Sequence, residues 1–83
     1  MASAEKKVVL YVVPNCPLCS NARTWLNSNG IDFEERDVAA DFGARRKMFA
    51  LTHQKLVPVV EVDGRAMVRP EEHQLRSLLD DGQ

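Results

Sequence analysis

Long hydrophobic runs, an excess of one charge and an aromatic cluster are all missing from this 83-residue sequence. Its longest apolar run is residues 8–13, far short of the roughly 18 residues that cross a membrane. The net charge of −1 argues against a nucleic-acid binder, which would carry a basic face. The few aromatic residues are scattered and form no stacking platform. We therefore expect a protein that binds neither membranes nor nucleic acid.

Cysteine is scarce as well, with only Cys16 and Cys19. A disulfide between them closes a very small loop, so it removes little entropy from the unfolded chain and is a weak structural staple. No small-x-small cleavage site follows the short apolar run, which argues against a signal peptide. We therefore expect a cytoplasmic protein in a compartment that keeps thiols reduced. Catalysis, metal binding and coincidence remain as explanations of the cysteine pair.

The rest of the sequence predicts a single α/β domain over residues 1–83, with flexible ends at 1–6 and 81–83. Apolar and β-branched runs predict strands over residues 8–13, 31–38, 57–62 and 65–68. The Asp63-Gly64 pair predicts a hairpin between the last two strands. Because the first strand-helix-strand unit should be a parallel crossover, we expect a four-stranded mixed sheet with helices on both faces, in the order β-α-β-α-β-β-α.

Three helices are predicted between these strands. The first begins at Pro17 and ends at Gly30, since proline suits the first helical position and glycine the stop. The second covers residues 42–51, with Asp37 or Asp41 as its cap and an apolar stripe beside basic residues. The last begins at Pro70, buries its leucines and frays from Asp80 onward.

These boundaries place Cys16 at a helix N-cap and Cys19 within the first turn. Free N–H groups and the helix dipole stabilise a thiolate at such a position, and the thiolate is the species that attacks disulfides. We expect Cys16 to be the exposed nucleophile and Cys19 the more buried resolving thiol. Two alternatives remain: a pair of ordinary buried cysteines, or half of a zinc site completed by His53 and His73, whose spacing is poor for that purpose.

Several of these residues together resemble the glutaredoxins: Tyr11, Pro14, the Cys-Pro-Leu-Cys sequence at 16–19, Val57-Pro58 and Asp63-Gly64. The resemblance implies a thioredoxin-like fold and a thiol-disulfide oxidoreductase that reduces protein or glutathione mixed disulfides. It also implies that Pro58 is cis and lies beside the cysteines, and that the Val57 backbone pairs with substrate. No metal or tightly bound cofactor is implied, and we expect a monomer.

The sequence departs from the usual glutaredoxin pattern at positions that concern glutathione. Val13 replaces a common lysine, and Leu18 replaces a common tyrosine. The segment 68–72 replaces a Gly-Gly pair and two aspartates with bulkier residues and Pro70, which lacks an N–H donor. Residues 57–64, followed by residues 68–71, resemble in part the NrdH-type redoxins, which take electrons from thioredoxin reductase and reduce ribonucleotide reductase. Glutathione and thioredoxin reductase therefore both remain candidate electron sources.

The first half of the chain also resembles Spx and arsenate-reductase-type proteins, through Cys16, Cys19, residues 22–26, Gly30-Ile31 and residues 35–37. That resemblance implies a redox-sensing interaction module as an alternative to an enzyme. We prefer shared fold ancestry, because those proteins have an additional helical insertion. Besides the cysteines, we expect Pro17, Leu18, Val57, Pro58 and Arg69 to contact substrate, Arg69 as a cation that reaches the active-site groove.

Overall fold

The computed structural model describes residues 7–80, and the predicted flexible ends lie outside these residues. The elements follow in the predicted order: β1 (Val8–Val12), α1 (Pro17–Ser28), β2 (Glu34–Asp37), α2 (Phe42–Thr52), β3 (Val59–Val62), β4 (Arg65–Val68) and α3 (Glu72–Asp80). The four strands form one sheet in the order β2-β1-β3-β4. β1 is parallel to β2 and antiparallel to β3, so the sheet is mixed. Within residues 7–80, no helix has the length and apolar composition to cross a membrane.

The two central strands form the core of the molecule. Every residue of β1 and of β3 is buried, which explains the continuous β-branched sequence of both. In β3 the one charged residue, Glu61, accepts a hydrogen bond of 2.6 Å from the buried Tyr11 hydroxyl. Lys47 of α2 approaches the same carboxylate at 3.6 Å, so α2 covers this face of the sheet.

The other two helices lie together. The Arg76 guanidinium of α3 sits 5.3 Å from the centre of the Trp25 ring of α1. Leu26 of α1 and Leu75 and Leu78 of α3 belong to the buried core, whereas the predicted core residue Leu79 is only half-buried. Helices thus cover both faces of the sheet, as predicted.

Two predicted strands began too early, and the first strand, predicted to end at residue 13, ends at Val12. The second strand was predicted to begin at Ile31 but begins at Glu34, because Ile31 takes part in the C-terminal cap of α1. Gly30, at φ 68°, and Ile31 donate backbone hydrogen bonds to Asn27 and Leu26, which is the Schellman arrangement. The third strand begins at Val59 rather than Val57, after a cis peptide bond between Val57 and Pro58.

The structure defines the ends and the buried faces of the second and third helices. Asp41, and not Asp37, caps α2 by accepting from the Ala44 N–H at 3.1 Å. Of the predicted apolar stripe of α2, Met48 is buried, whereas Phe42 is 77% exposed and Phe49 is 44% exposed. The last helix begins at Glu72 instead of Pro70 and includes Asp80, where fraying was expected.

The first turn of α3 is held by its own side chains. Leu75 donates its N–H to the Glu71 carbonyl, while the Gln74 side chain accepts from the Glu71 N–H at 2.8 Å. This second bond is the return half of a capping box. Pro70 therefore lies in the connection between β4 and α3 and takes no part in the helix.

Candidate active site

The two cysteines lie where β1 gives way to α1. Cys16 is the N-cap of α1, with extended backbone, and Pro17 occupies the first helical position. The Cys16 Sγ accepts a hydrogen bond of 3.1 Å from the backbone N–H of Cys19. A sulfur atom thus replaces the oxygen that usually caps a helix, and it faces the positive end of the helix dipole. This arrangement favours negative charge on the Cys16 sulfur.

Burial separates the two thiols. Both are free, Cys16 is half-buried, and Cys19 is only 1% exposed. Burial is the main reason that the pKa of the Cys19 thiol rises from 9.0 to about 11, and the neighbouring Cys16 side chain adds to the effect. A backbone hydrogen bond with Val13 opposes this rise. Cys19 therefore stays protonated near neutral pH, which is compatible with its predicted role as the resolving thiol.

A pocket of about 270 Å³ brings together Leu18, Pro58 and Arg69, three of the predicted substrate contacts. Leu18 is 48% exposed beside it. Trp25, Pro70 and Glu72 also line this pocket. Of the remaining predictions, Pro17 is placed at the start of α1 and does not line the pocket.

Val57 is joined to the pocket through Arg69. The Arg69 Nε donates to the Val57 carbonyl oxygen at 2.7 Å, and the Arg69 backbone N–H donates to the Pro58 carbonyl at 2.8 Å. Arg69 has φ 46°, in the left-handed region that glycine adopts most readily. The arginine therefore occupies a backbone position suited to glycine, and the side-chain hydrogen bond to Val57 is a contact that glycine could not make.

Trp25 and Glu72 form the far side of this pocket. The Trp25 indole N–H is buried and has no hydrogen-bond partner at ordinary distance and angle. Arg76 makes the largest contribution to lowering the pKa of the Glu72 carboxyl, and the Trp25 indole N–H lies close enough to lower it further. The pocket thus has an apolar wall, with Arg69 and Glu72 as its charged residues.

Arg23 is a candidate site residue that the sequence analysis missed. Its guanidinium binds Glu35 of β2 through bonds of 2.9 and 2.7 Å. It also acts electrostatically on Cys19, whose pKa it lowers. Helical spacing was the available signal, because Arg23 follows Cys19 by four residues and Cys16 by seven, on one side of α1.

A metal site was the other chemical possibility for the cysteines. Among residues 7–80, no three His, Cys, Asp or Glu side chains lie close enough together to hold a metal ion. His73 lies 3.6 Å from Glu71, and His53 forms an edge contact with the Phe49 ring. Neither histidine joins the cysteines in such a group.

The family model for glutaredoxin matches residues 8–67. The chain belongs to the glutaredoxin family. The glutaredoxin-like 8.6 kDa protein in the rubredoxin operon of Clostridium pasteurianum is 33% identical over 73 residues, which cover 88% of this chain and 97% of that protein. Among solved structures, the chain is similar to the thioredoxin-like protein BC3987, with a TM-score of 0.80 and 29% identity. The match covers 87% of this chain and 99% of that protein. The expected thioredoxin-like fold is thus confirmed.

A similarity to a transcriptional regulator is confined to part of the chain. The global transcriptional regulator Spx 2 of Lactococcus lactis is 41% identical over 34 residues, which cover 41% of this glutaredoxin-family chain and 26% of the regulator. Because this similarity covers so little of the regulator, it agrees with common fold ancestry. The glutaredoxin family and the fold together describe a thioredoxin-fold redox protein.

Proposed function

We propose that this protein is a dithiol oxidoreductase that reduces disulfides of other proteins, or their glutathione mixed disulfides, through Cys16 and Cys19. The observation that carries the proposal is the pairing of an N-cap sulfur with a buried thiol one turn later. The Cys19 N–H lies 3.1 Å from the Cys16 Sγ, which supports the anion, and burial holds the proton on Cys19. The two thiols are therefore differentiated as nucleophile and resolver.

The reaction proceeds in two exchanges. The Cys16 thiolate attacks one sulfur of the substrate disulfide, which forms a mixed disulfide and releases a substrate thiolate that takes up a proton. Cys19 then loses its proton, attacks the Cys16 sulfur and displaces the second substrate sulfur, which is protonated in turn. Two electrons pass to the substrate, and Cys16 and Cys19 are left joined in a disulfide.

Substrate binding in this proposal uses the pocket beside the cysteines. Leu18 and Pro58 supply apolar surface, Pro17 fixes the start of α1, and Arg69 holds the Val57 carbonyl. An extended substrate chain would pair with the Val57 backbone, as the family resemblance implies. We place this activity in the cytoplasm and expect the protein to act as a monomer without a bound metal or cofactor.

The electrons that reopen the disulfide come from glutathione or from thioredoxin reductase. The β4-α3 connection favours the reductase, because Pro70 offers no N–H and the side chain of Arg69 occupies space that a glycine would leave open. Reduction of the oxidised protein can be followed with both systems in parallel. Fast reduction by the reductase alone supports this choice, and fast reduction by glutathione overturns it.

Trapping a substrate tests the proposal directly. Cys19→Ser should accumulate a mixed disulfide at Cys16 with a disulfide-containing model protein such as insulin, because the resolving thiol is absent. Cys16→Ser is the matched control and should form no such adduct. Mass spectrometry under non-reducing conditions distinguishes the two. Equal trapping by both variants, or by neither, would refute the assigned roles.

The non-catalytic alternative, a redox-sensing interaction module, has support in the partial Spx similarity. It makes a different prediction, since such a module would change its affinity for a partner on oxidation and would not turn over. A protein that exchanges disulfides stoichiometrically but never cycles with either reductant would favour it.

A further inference from the structure

A second recess lies on α2, which packs on the sheet face bearing Tyr11 and Glu61. It has a volume of about 670 Å³ and is lined almost entirely by carbon atoms. Phe42, Arg45, Arg46 and Phe49 share one side of the helix, since their spacing is that of successive turns. Met48 is the buried floor, and Lys55 closes one end. These six residues are called the α2 surface below.

Two phenylalanines form the apolar part of the α2 surface, and in residues 7–80 Phe42 is 77% exposed while Phe49 is 44% exposed and has an edge contact with the His53 ring. Phe42 and Phe49 are two of the four large apolar side chains that are exposed in residues 7–80. Both flank the same recess, so their exposure is not scattered. Contiguous exposed apolar surface with a polar rim is typical of a protein-binding site.

The rim of the α2 surface is positively charged. Residues 42–60 contain four of the eleven Lys and Arg residues and no Asp or Glu, in a chain with net charge −1. In the described part of the chain, Arg45, Arg46 and Lys55 form no ion pair. Asp41, the nearest acid before this segment, accepts from the Ala44 N–H at the start of the helix. The guanidinium groups are therefore available to carboxylates from outside.

We propose that the α2 surface binds an acidic segment of a partner protein that presents apolar side chains, in the manner of an amphipathic helix in a groove. Apolar side chains would fill the recess over Met48 between Phe42 and Phe49, and carboxylates would meet Arg45 and Arg46. A lipid surface fits less well, because a concave recess accepts a protruding side chain whereas insertion into a bilayer needs apolar groups that protrude.

A second copy of the chain also fits less well. In the described residues, the exposed large apolar side chains are Leu18, Phe42, Phe49 and Leu56, and none of them belongs to an acidic helix face. The acidic helix α3 buries Leu75 and Leu78 against its own core. Leu18 shares the pocket beside the cysteines with one carboxylate, Glu72, and that pocket is assigned above to substrate. The described residues therefore present no acidic helix face that carries exposed large apolar side chains.

The experiment measures binding of a fluorescein-labelled helical peptide of about 16 residues, with Leu and Phe on one face and Glu on the other, by fluorescence anisotropy. The protein is the reduced full chain, so the outcome does not depend on redox turnover. We expect binding that weakens as salt rises, and no binding of the same peptide with Lys in place of Glu. Equal binding of both peptides would overturn the proposal.

Variants locate the site. Phe42→Ser with Phe49→Ser should weaken peptide binding about tenfold or more, and so should Arg45→Gln with Arg46→Gln. Arg36→Gln with Arg65→Gln removes the same charge elsewhere and is the matched control, with binding expected within about twofold of the unaltered protein. Circular dichroism and thiol titration check that each variant is folded.

Three further results would overturn the proposal. The first is peptide binding that all variants retain equally. The second is binding of anionic phospholipid vesicles that competes with, and exceeds, peptide binding. The third is a dimer in sedimentation velocity that the Phe42→Ser and Phe49→Ser changes dissociate, because the occupant would then be a second copy.

Discussion

The Nε of Arg69 donates a 2.7 Å hydrogen bond to the carbonyl oxygen of Val57, which precedes the cis peptide bond to Pro58. This contact ties the β4-α3 connection to the start of β3. It also occupies the carbonyl of a residue that we expect to pair with substrate. We therefore propose that Arg69 is a positioning residue, which holds the backbone of the proposed substrate groove.

The Arg69 contact can be separated from the backbone conformation of the same residue. Arg69→Ala removes the side-chain hydrogen bond and keeps a Cβ at φ 46°, whereas Arg69→Gly removes the bond and relieves the conformational cost. Urea unfolding should show Arg69→Ala less stable than the unaltered protein by about 1–2 kcal/mol, with Arg69→Gly the less destabilised of the two by about 1 kcal/mol. Equal stability of both variants would contradict this account. In disulfide reduction, both variants should raise KM more than they lower kcat.

The buried Cys19 thiol predicts a specific pH dependence. Burial raises the pKa of Cys19 to about 11, and this main cause persists in Cys16→Ser. The alkylation rate of that variant by iodoacetamide should therefore keep rising, about tenfold per pH unit, through pH 10. A rate that levels off near pH 9 would show that the folded protein does not protect the thiol from ionisation.

The same shift affects stability at alkaline pH. The unfolded thiol ionises near 9.0 and the folded thiol near 11, so the unfolded state binds fewer protons between these values. The contribution of Cys19 to the free energy of unfolding is therefore complete below pH 9 and is lost as pH rises toward 11. Cys19→Ala is the control, and reduced protein should lose more stability than this variant over that range. Parallel curves for the two would contradict the shift.

The Tyr11–Glu61 hydrogen bond joins two buried groups on neighbouring strands. Burial, followed by this hydrogen bond, raises the pKa of the Tyr11 hydroxyl. Tyr11→Phe leaves the Glu61 carboxylate without its 2.6 Å donor and should cost about 1–3 kcal/mol in urea unfolding. Lys47→Met should cost less than about 1 kcal/mol, since Lys47 is 59% exposed and 3.6 Å away. A larger loss of stability for Lys47→Met than for Tyr11→Phe would show that the ion pair, and not the hydrogen bond, is the more important contact of Glu61.

Substitutions of Arg23 and of Glu35 should change in opposite directions the rate at which Cys19 resolves a mixed disulfide. Arg23 lowers the pKa of Cys19, and Glu35 pairs with Arg23. Arg23→Gln should slow release of a thiol from a mixed disulfide preformed at Cys16, by a factor of about two to five. Glu35→Gln leaves the positive charge of Arg23 unopposed and should accelerate release slightly. If both variants slow release equally, the pair acts only by joining α1 to β2.

Much of the fold could be predicted from the sequence because its signals are local. The buried runs of β1 and β3, the Asp63-Gly64 hairpin and Pro17 at the start of α1 each follow from residue type alone. The failures have tertiary causes. Phe42 and Phe49 have the spacing of a core stripe, but the helix turns Ala44 and Met48 inward instead. Pro70 resembles a helix start, yet the Glu71–Gln74 cap places the start of α3 two residues later, at Glu72.

The candidate site divides in the same way. The placement of Cys16 and Cys19 was predictable from motif and helix start, and the cis bond at Pro58 from the family resemblance. The hydrogen bond from Arg69 to Val57 could not be predicted, because the two residues are twelve apart in the sequence. It also depends on a left-handed backbone at Arg69, a conformation that the sequence does not indicate for an arginine. Arg23 was missed because its effect on Cys19 depends on the helix face and on the pairing with Glu35.

The proposed role of Cys16 and Cys19 is to carry electrons between a reductant and protein disulfides. Its most direct test is steady-state NADPH oxidation with insulin as substrate, coupled in parallel to glutathione with glutathione reductase and to thioredoxin reductase. We expect sustained turnover by the unaltered protein in at least one system, and none by Cys16→Ser in either. Full turnover by Cys16→Ser, or no turnover by the unaltered protein in both systems, would contradict the claim.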